Sequence, residues 1–131
     1  MLKIIYLMTF SSIIWSQNQF YIELVNERNY PLYINEKGDY NVKARSTQLV
    51  FKLNGITHSS KVERIDWKTV NAFSWNDGVK TTNYPIVKSS TYTKNGLSSS
   101  LIALPPEMKG SQATIYGFYQ NQIDSIRIFI Q

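Results

Sequence analysis

Residues 113–130, ATIYGFYQNQIDSIRIFI, contain two strand-like runs separated by a polar turn. The run 113–119 is apolar on both of the faces that a strand would present, which is typical of a strand in the middle of a sheet. The run 126–130 places isoleucine at every second position, and a period of two favours a strand with one buried face. We therefore predict two neighbouring strands. The last one is either interior or a sticky sheet edge, and we favour the interior position.

Short strands separated by turn residues continue towards the N-terminus. Tight turns are predicted at Asn54-Gly55, with a return strand from Ile56, and at Asn95-Gly96, because these dipeptides adopt two successive positive φ angles. A further turn is predicted at Asn76-Asp77-Gly78. The predicted strands are 20–25, 30–34, 40–44, 48–53, 70–75 and 100–104, and 84–88 is either a short strand or an extended segment. Many short strands at this spacing indicate an all-β protein built as an antiparallel β-sandwich.

Residues 61–68 leave the choice between helix and strand open. Ser60 and Glu63 have the spacing of a capping box at the start of a helix. Ile65, Trp67 and Thr69 alternate instead, as in a strand. The predicted sandwich therefore contains either one short helix near residues 61–68 or a further strand.

Residues 70–131 resemble the later strands of immunoglobulin- and fibronectin-type-III-like β-sandwich modules of secreted bacterial proteins. Phe73-Ser74-Trp75 followed by a polar turn is similar to the strand that carries the core tryptophan, and residues 101–104, 113–119 and 126–130 are similar to the last three strands. The cysteine pair of true immunoglobulin domains is absent from the sequence. The resemblance implies an immunoglobulin-like fold with Trp75 in the core, and a fold alone implies no function.

The first sixteen residues determine the predicted compartment. Lys3 precedes an apolar run that ends at Ser16, which is the layout of a secretory signal peptide, while a retained anchor or a core segment are the alternatives. The run is shorter than the ~20 apolar residues that cross a bilayer as a helix. We predict a signal peptide at 1–16, a single domain at 17–131, and a secreted or periplasmic bacterial protein that meets the membrane only through its export segment.

Composition narrows the classes of function. Charged residues make up 18% of the chain and aromatic residues 14%, which favours a dense core over disorder. The net charge of +5, or +4 without Lys3, is spread thinly, which indicates a mild preference for acidic partners and no nucleic-acid interface. With one histidine and no cysteine, a zinc or copper site has almost no ligands, and we predict no cofactor. Asp39 and Asp77 are interpreted as turn residues, not calcium ligands.

Catalytic residues are sparse in the sequence. His58 has Thr57 and Ser59 as neighbours, but no Gly-x-Ser-x-Gly scaffold accompanies it. Two carboxylate pairs, Glu63 with Asp66 and Glu23 with Glu27, have the residue type that hydrolyses glycosides. Basic residues are interleaved with both pairs, as on a solvated surface. We predict a protein that is not an enzyme, with a carboxylate hydrolase as the alternative.

Aromatic and lysine side chains are the candidates for a binding surface. Aromatic rings with a polar tip stack on sugars and are enriched at protein interfaces, and Trp67 is the ring that we expect to be exposed. The predicted surface consists of Trp67, Tyr84, Tyr92, Lys80, Lys88 and Lys94. The predicted function is a small exported non-enzymatic binding or assembly module, acting through a surface patch or a sheet edge on another protein or an envelope glycan. A carbohydrate-binding module and a secreted inhibitor or immunity-type protein are the alternatives.

Overall fold

A computed structural model describes residues 19–26, 28, 30–44, 47–56, 61–102 and 104–131. The predicted leader and His58 lie outside these residues. The described chain forms strands and one short 3-10 helix at Pro106–Met108. The strands are β1 (Tyr21–Val25), β2 (Tyr40–Val42), β3 (Thr47–Asn54), β4 (Glu63–Val70), β5 (Phe73–Asn76), β6 (Val79–Thr82), β7 (Ser90–Thr93), β8 (Leu97–Ile102), β9 (Gln112–Tyr119) and β10 (Gln122–Ile130).

The strands form two sheets and a separate hairpin. One sheet has the order β1-β3-β8 and the other the order β2-β10-β9-β4-β7, while β5 and β6 pair only with each other. β2 and β10 are parallel, and the remaining strand pairs are antiparallel. This is the predicted all-β sandwich. Its strand order is immunoglobulin-like, because β10-β9-β4-β7 follows the G-F-C-C′ order of a variable-type sheet and β1-β3-β8 follows A-B-E.

The core lies between the two sheets and is rich in aromatic rings. The rings of Phe51 on β3 and Trp67 on β4 have centroids 4.3 Å apart. Phe20, just before β1, lies 5.5 Å from Tyr119 at the end of β9. The first contact joins the three-stranded sheet to the five-stranded sheet, and the second joins the residue before β1 to the five-stranded sheet. Burying a large apolar side chain contributes about 1.5–3 kcal/mol relative to leaving it exposed, so these contacts hold the layers together.

Residues 61–68 do not form the helix that the capping-box spacing allowed. β4 begins at Glu63, and its side chains alternate between buried and exposed along its whole length. Ile65, Trp67 and Thr69 are the buried members. A helix could not place these three side chains on one face, because its period is 3.6 residues and theirs is two. The period-two pattern therefore identifies residues 63–70 as a strand and not a helix.

The core tryptophan is Trp67, and the expectation that Trp75 fills this role is wrong. Trp67 is 6% exposed, and its indole Nε1–H donates to Thr91 Oγ1 at 2.7 Å. Trp75 is 50% exposed. The reason lies at Asn71, whose φ of 66° ends β4. The chain after Asn71 keeps Ala72 in the core and then starts a new hairpin, on which Trp75 is half exposed.

The two Asn-Gly dipeptides behave differently. Asn95 and Gly96 have φ angles of 63° and 72° and form the predicted turn, between β7 and β8. The hairpin predicted at Asn54-Gly55 is wrong, because β3 pairs with β1 and β8 and Ile56 lies in no strand. Residues 57–60 lie outside the described chain. A Cβ at Gly55 would overlap the backbone of Gln19, so close backbone approach explains this glycine.

Two other segments contain fewer strand residues than the sequence allowed. In the segment 30–34, only Pro31 and Ile34 form isolated bridges, to Val25 and Tyr40. The segment 84–88 contains no strand residues. The last strand, β10, pairs with β9 along most of its length and with β2 at residues 128–130, so the predicted interior position is confirmed for the end of the strand.

Candidate binding surface at the β5–β6 hairpin

The β5–β6 hairpin forms from a short local signal. Asp77 and Gly78 have φ angles of 50° and 78°, the two positive values that a type I′ turn requires. The Asn76-Asp77-Gly78 pattern predicted this turn. The hairpin register places Trp75 opposite Lys80. An isolated two-stranded hairpin is marginally stable in water, so contacts with the rest of the chain must hold it.

Glu107, on the 3-10 helix, provides one such contact. Its Oε1 accepts a hydrogen bond from the backbone N–H of Trp75 at 2.9 Å and one from the Ser74 hydroxyl at 3.3 Å. The Trp75 N–H is the main reason that the pKa of the Glu107 carboxyl lies below its usual value, and the backbone N–H of Glu107 itself is the next. Phe73 is partly buried against the core. The base of the hairpin is therefore fixed to the sandwich.

The remainder of the hairpin is exposed. Residues opposite each other in a strand pair share a face, so Phe73, Trp75 and Lys80 lie together, and Lys80 Nζ lies 4.5 Å from the centroid of the Phe73 ring. Every side chain of β6 is exposed, and Val79 is 65% exposed. The hairpin thus presents a half-exposed indole and a cation on one face and the apolar side chain of Val79 on the other face.

The outer face of the five-stranded sheet is a second exposed area. Tyr92 on β7 is 68% exposed. Beside it, Arg64 Nε lies 2.9 Å from Asp66 Oδ1, and the Ser90 hydroxyl donates to the same oxygen at 2.8 Å. The Ser90 hydroxyl and then Arg64 lower the pKa of the Asp66 carboxyl. This hydrogen-bonded ion pair keeps Asp66 ionised, which does not suit the general acid of a glycosidase.

The predicted surface residues do not form one patch. Tyr92, Lys80, Lys88 and Lys94 are exposed, but Lys80 is on the hairpin and Tyr92 is on β7. Tyr84 is partly buried against the core. Trp67 is in the core, so the expectation that it offers an exposed ring for sugar stacking is wrong.

The prediction missed Trp75 and Val79 as exposed residues. The detectable signal was the Asn76-Asp77-Gly78 turn between two four-residue runs, FSWN and VKTT, which are short enough to pair only with each other. The resemblance to a core-tryptophan strand outweighed that signal.

The described residues contain neither a metal-binding cluster nor a helix that could span a membrane. Within them, no three His, Cys, Asp or Glu side chains are grouped so that they could hold a metal ion. The part of the chain that the structure describes also has no helix that is both long and apolar enough to cross a membrane.

Comparisons with known proteins give no family. No protein-family model matches the chain, and no curated protein matches it. Among solved structures, the chain is similar to the M1 domain of titin, with 10% sequence identity and a TM-score of 0.35. The match covers 70% of this chain and 82% of the titin domain. A likeness at this level carries no argument about function.

Proposed function

We propose that this chain is a small exported, non-enzymatic binding or assembly module that contacts another protein through the β5–β6 hairpin. The observation that carries the proposal is the exposure of Trp75 and Val79, 50% and 65%, on a hairpin that belongs to neither sheet. Tryptophan is among the residues most enriched at binding hot spots. Lys80 lies next to Trp75 on the same face and adds a charge that can select an acidic partner.

The proposal includes a secreted or periplasmic location and an immunoglobulin- or fibronectin-type-III-like module of a secreted bacterial protein. The basic start and short apolar run before Ser16 support export. The order of the strands supports the type of module.

A protein partner is favoured over an envelope glycan. The glycan hypothesis depended on an exposed Trp67 with neighbouring tyrosines, and Trp67 is buried while Tyr84 is partly buried. The inhibitor or immunity-type alternative also acts by binding a protein, so the same surface serves it.

The test is capture of a partner by the purified full chain from the envelope fraction of its source cells. The hairpin variant Trp75→Ser/Val79→Thr removes the two exposed apolar groups. The control variant Tyr92→Ser/Ile123→Thr removes two groups that are 68% and 63% exposed and lie outside the hairpin. We expect the control variant to capture as much partner as the unmodified chain, and the hairpin variant to capture at least about tenfold less. Equal capture by both variants would refute the hairpin as the binding site.

A further inference from the structure

The chain covers several of its own strand edges. The outer N–H groups of Phe20 and Ile22, at β1, donate to Gln122 Oε1 at 2.8 Å and Asp124 Oδ2 at 2.7 Å. At β2, the Asn41 N–H donates to the carbonyl of Tyr33 at 3.3 Å. An uncovered edge is a template for a strand of another chain, which is why natural proteins cover such edges.

The outer edge of β6 differs from these. In a hairpin with a two-residue turn, the pair next to the turn, Asn76 and Val79, is hydrogen-bonded, and hydrogen-bonded and non-bonded pairs then alternate. The backbone N–H and C=O groups of Lys80 and Thr82 consequently point away from β5. By the same alternation, the Trp75 N–H points outward on β5, where it donates a hydrogen bond to Glu107.

Nothing in the described chain hydrogen-bonds to that edge of β6. The hydrogen bonds found among the described residues include none to the outer groups of Lys80 and Thr82, and all four β6 side chains are exposed. One edge of the hairpin is therefore closed by a carboxylate, and the other edge faces solvent.

We propose that the β6 edge receives a third strand, supplied by an extended segment of a partner protein with an acidic side chain opposite Lys80. This inference rests on the proposed function, and it states how the partner is held. A third strand would also convert a marginal two-stranded hairpin into a more stable three-stranded sheet. Backbone hydrogen bonds would give affinity, and the carboxylate near Lys80 would give selectivity.

The charge of Lys80 favours an acidic partner over a second copy of this chain. If two copies paired antiparallel through β6 about Thr81, Lys80 of one copy would face Thr82 of the other. The two Lys80 side chains would then be diagonal neighbours on one face, about 7–8 Å apart. An edge lysine disfavours such self-pairing, and the net charge of +5 acts in the same direction.

Two blocked pentapeptides, TVEVT and TVKVT, serve as probes of the isotope-labelled full chain. TVEVT should slow amide hydrogen exchange at Lys80 and Thr82 by about tenfold at ten times its dissociation constant. The amides of Val79 and Thr81 already bond to β5, so their exchange should slow only as far as the third strand stabilises the hairpin against opening. TVKVT should bind roughly fivefold more weakly because it places like charges opposite each other. Exchange that is unaffected by TVEVT at about 1 mM would overturn the inference.

Two variants complete the test. Lys80→Glu should reverse the preference between the two peptides, and an unreversed preference would overturn the role of Lys80. Thr82→Pro removes an outward N–H and leaves the bonds to β5, so it should weaken TVEVT binding. The unfolding midpoint shows whether Thr82→Pro is folded. If Thr82→Pro is unfolded, the peptide preference of Lys80→Glu alone tests the inference.

Other outcomes separate this inference from the proposed function. If amide exchange at Lys80 and Thr82 slows when only the protein concentration is raised, a second copy of the chain occupies the edge. That result would refute the proposal of an acidic partner. If neither peptide binds but capture from the envelope fraction still depends on Trp75 and Val79, edge pairing is refuted and the proposed function stands. If capture is also insensitive to Trp75 and Val79, both are refuted.

Discussion

Gly117 on β9 contacts Ile22 and Trp67, two buried side chains of the core between the sheets. A Cβ at this position would lie 2.6 Å from Ile22 Cδ1 and 3.1 Å from Trp67 Cζ3. Because these neighbours are buried, they have little room to move. We expect Gly117→Ala to lower the free energy of unfolding by about 1–3 kcal/mol, as measured by urea denaturation.

Ile22→Val provides the matched control for Gly117→Ala, because it deletes the Cδ1 atom that the new methyl group would strike. The double variant should be more stable than Gly117→Ala alone, although Ile→Val by itself costs about 0.5–1.5 kcal/mol. Strictly additive losses would show that Ile22 does not limit the space at this position.

Asp39 is a buried carboxylate and not the simple turn residue that the sequence indicated. Its side chain is 0% exposed, and Arg127 Nε lies 2.8 Å from its Oδ1. Gln112 Nε2 donates to its Oδ2 at 2.6 Å. These contacts tie the turn before β2 to β9 and β10.

Arg127→Met should be strongly destabilising, because it leaves the Asp39 carboxylate buried without its cation. Breaking a fully buried pair in this way costs about 3–5 kcal/mol, and we expect a smaller loss here because the Arg127 side chain is half exposed. Adding Asp39→Asn should recover part of the loss, since the uncompensated charge is then gone. Chemical denaturation of the single and double variants tests this, and a double variant less stable than Arg127→Met would contradict it.

At the scale of elements, the attachment of the hairpin through Glu107 should depend on pH. Its pKa in the folded chain is lowered, chiefly by the Trp75 N–H, from the ordinary value of 4.5. A lowered pKa contributes stability that is fully present above 4.5 and is lost as the pH falls through the folded value. We expect the Trp75 amide to exchange faster with solvent, relative to its intrinsic rate, as the pH falls from about 6 to about 3.

Glu107→Gln should remove this pH response, because the amide keeps an acceptor oxygen but does not titrate. Asp66→Asn is the comparison, since the pKa of Asp66 is also lowered, but by Ser90 and Arg64, away from the hairpin. A response that survives Glu107→Gln, or that disappears with Asp66→Asn, would show that another group controls the hairpin.

Local patterns predicted elements well where one physical signal acted alone. The alternation in β1 and the Asn95-Gly96 turn depend only on neighbours in sequence. In β4, a capping-box spacing competed with the alternation, so the choice between helix and strand stayed open until the structure showed a strand. The hairpin prediction at Asn54-Gly55 was wrong because Gly55 allows a close approach to the backbone of Gln19, a residue far away in sequence. Trp67 and Trp75 lie in similar alternating runs, and only the left-handed Asn71 between them decides which indole is buried.

The order of strands in the whole molecule depends on contacts that no local pattern encodes. β2 pairs in parallel with β10, across most of the chain length. β3 and β4, consecutive in sequence, belong to different sheets. For the candidate site, the Asn76-Asp77-Gly78 turn was detectable in the sequence, but the position of the hairpin outside both sheets, which exposes Trp75, was not.

Closure of the sandwich at β1 depends on two side chains of β10. Asp124 Oδ2 accepts the Ile22 N–H at 2.7 Å, and Gln122 Oε1 accepts the Phe20 N–H at 2.8 Å. These oxygens occupy positions that a neighbouring strand would otherwise fill. Asp124→Leu would leave a backbone donor unpaired at a sheet edge, which costs about 1–3 kcal/mol and exposes a template for pairing with another molecule.

We therefore expect Asp124→Leu to lower the free energy of unfolding and also to self-associate, which a simple loss of stability would not predict. Asp124→Asn is the control, because its amide oxygen can still accept the Ile22 N–H. Light scattering as a function of concentration, well below the unfolding midpoint, distinguishes the two variants. If Asp124→Leu stays monomeric while it is destabilised, Asp124 stabilises the sandwich without protecting its edge. The remaining contacts at β1, from Gln122 Oε1 and from the Leu32 N–H, which donates to the Leu24 carbonyl at 3.3 Å, are then sufficient to cover that edge.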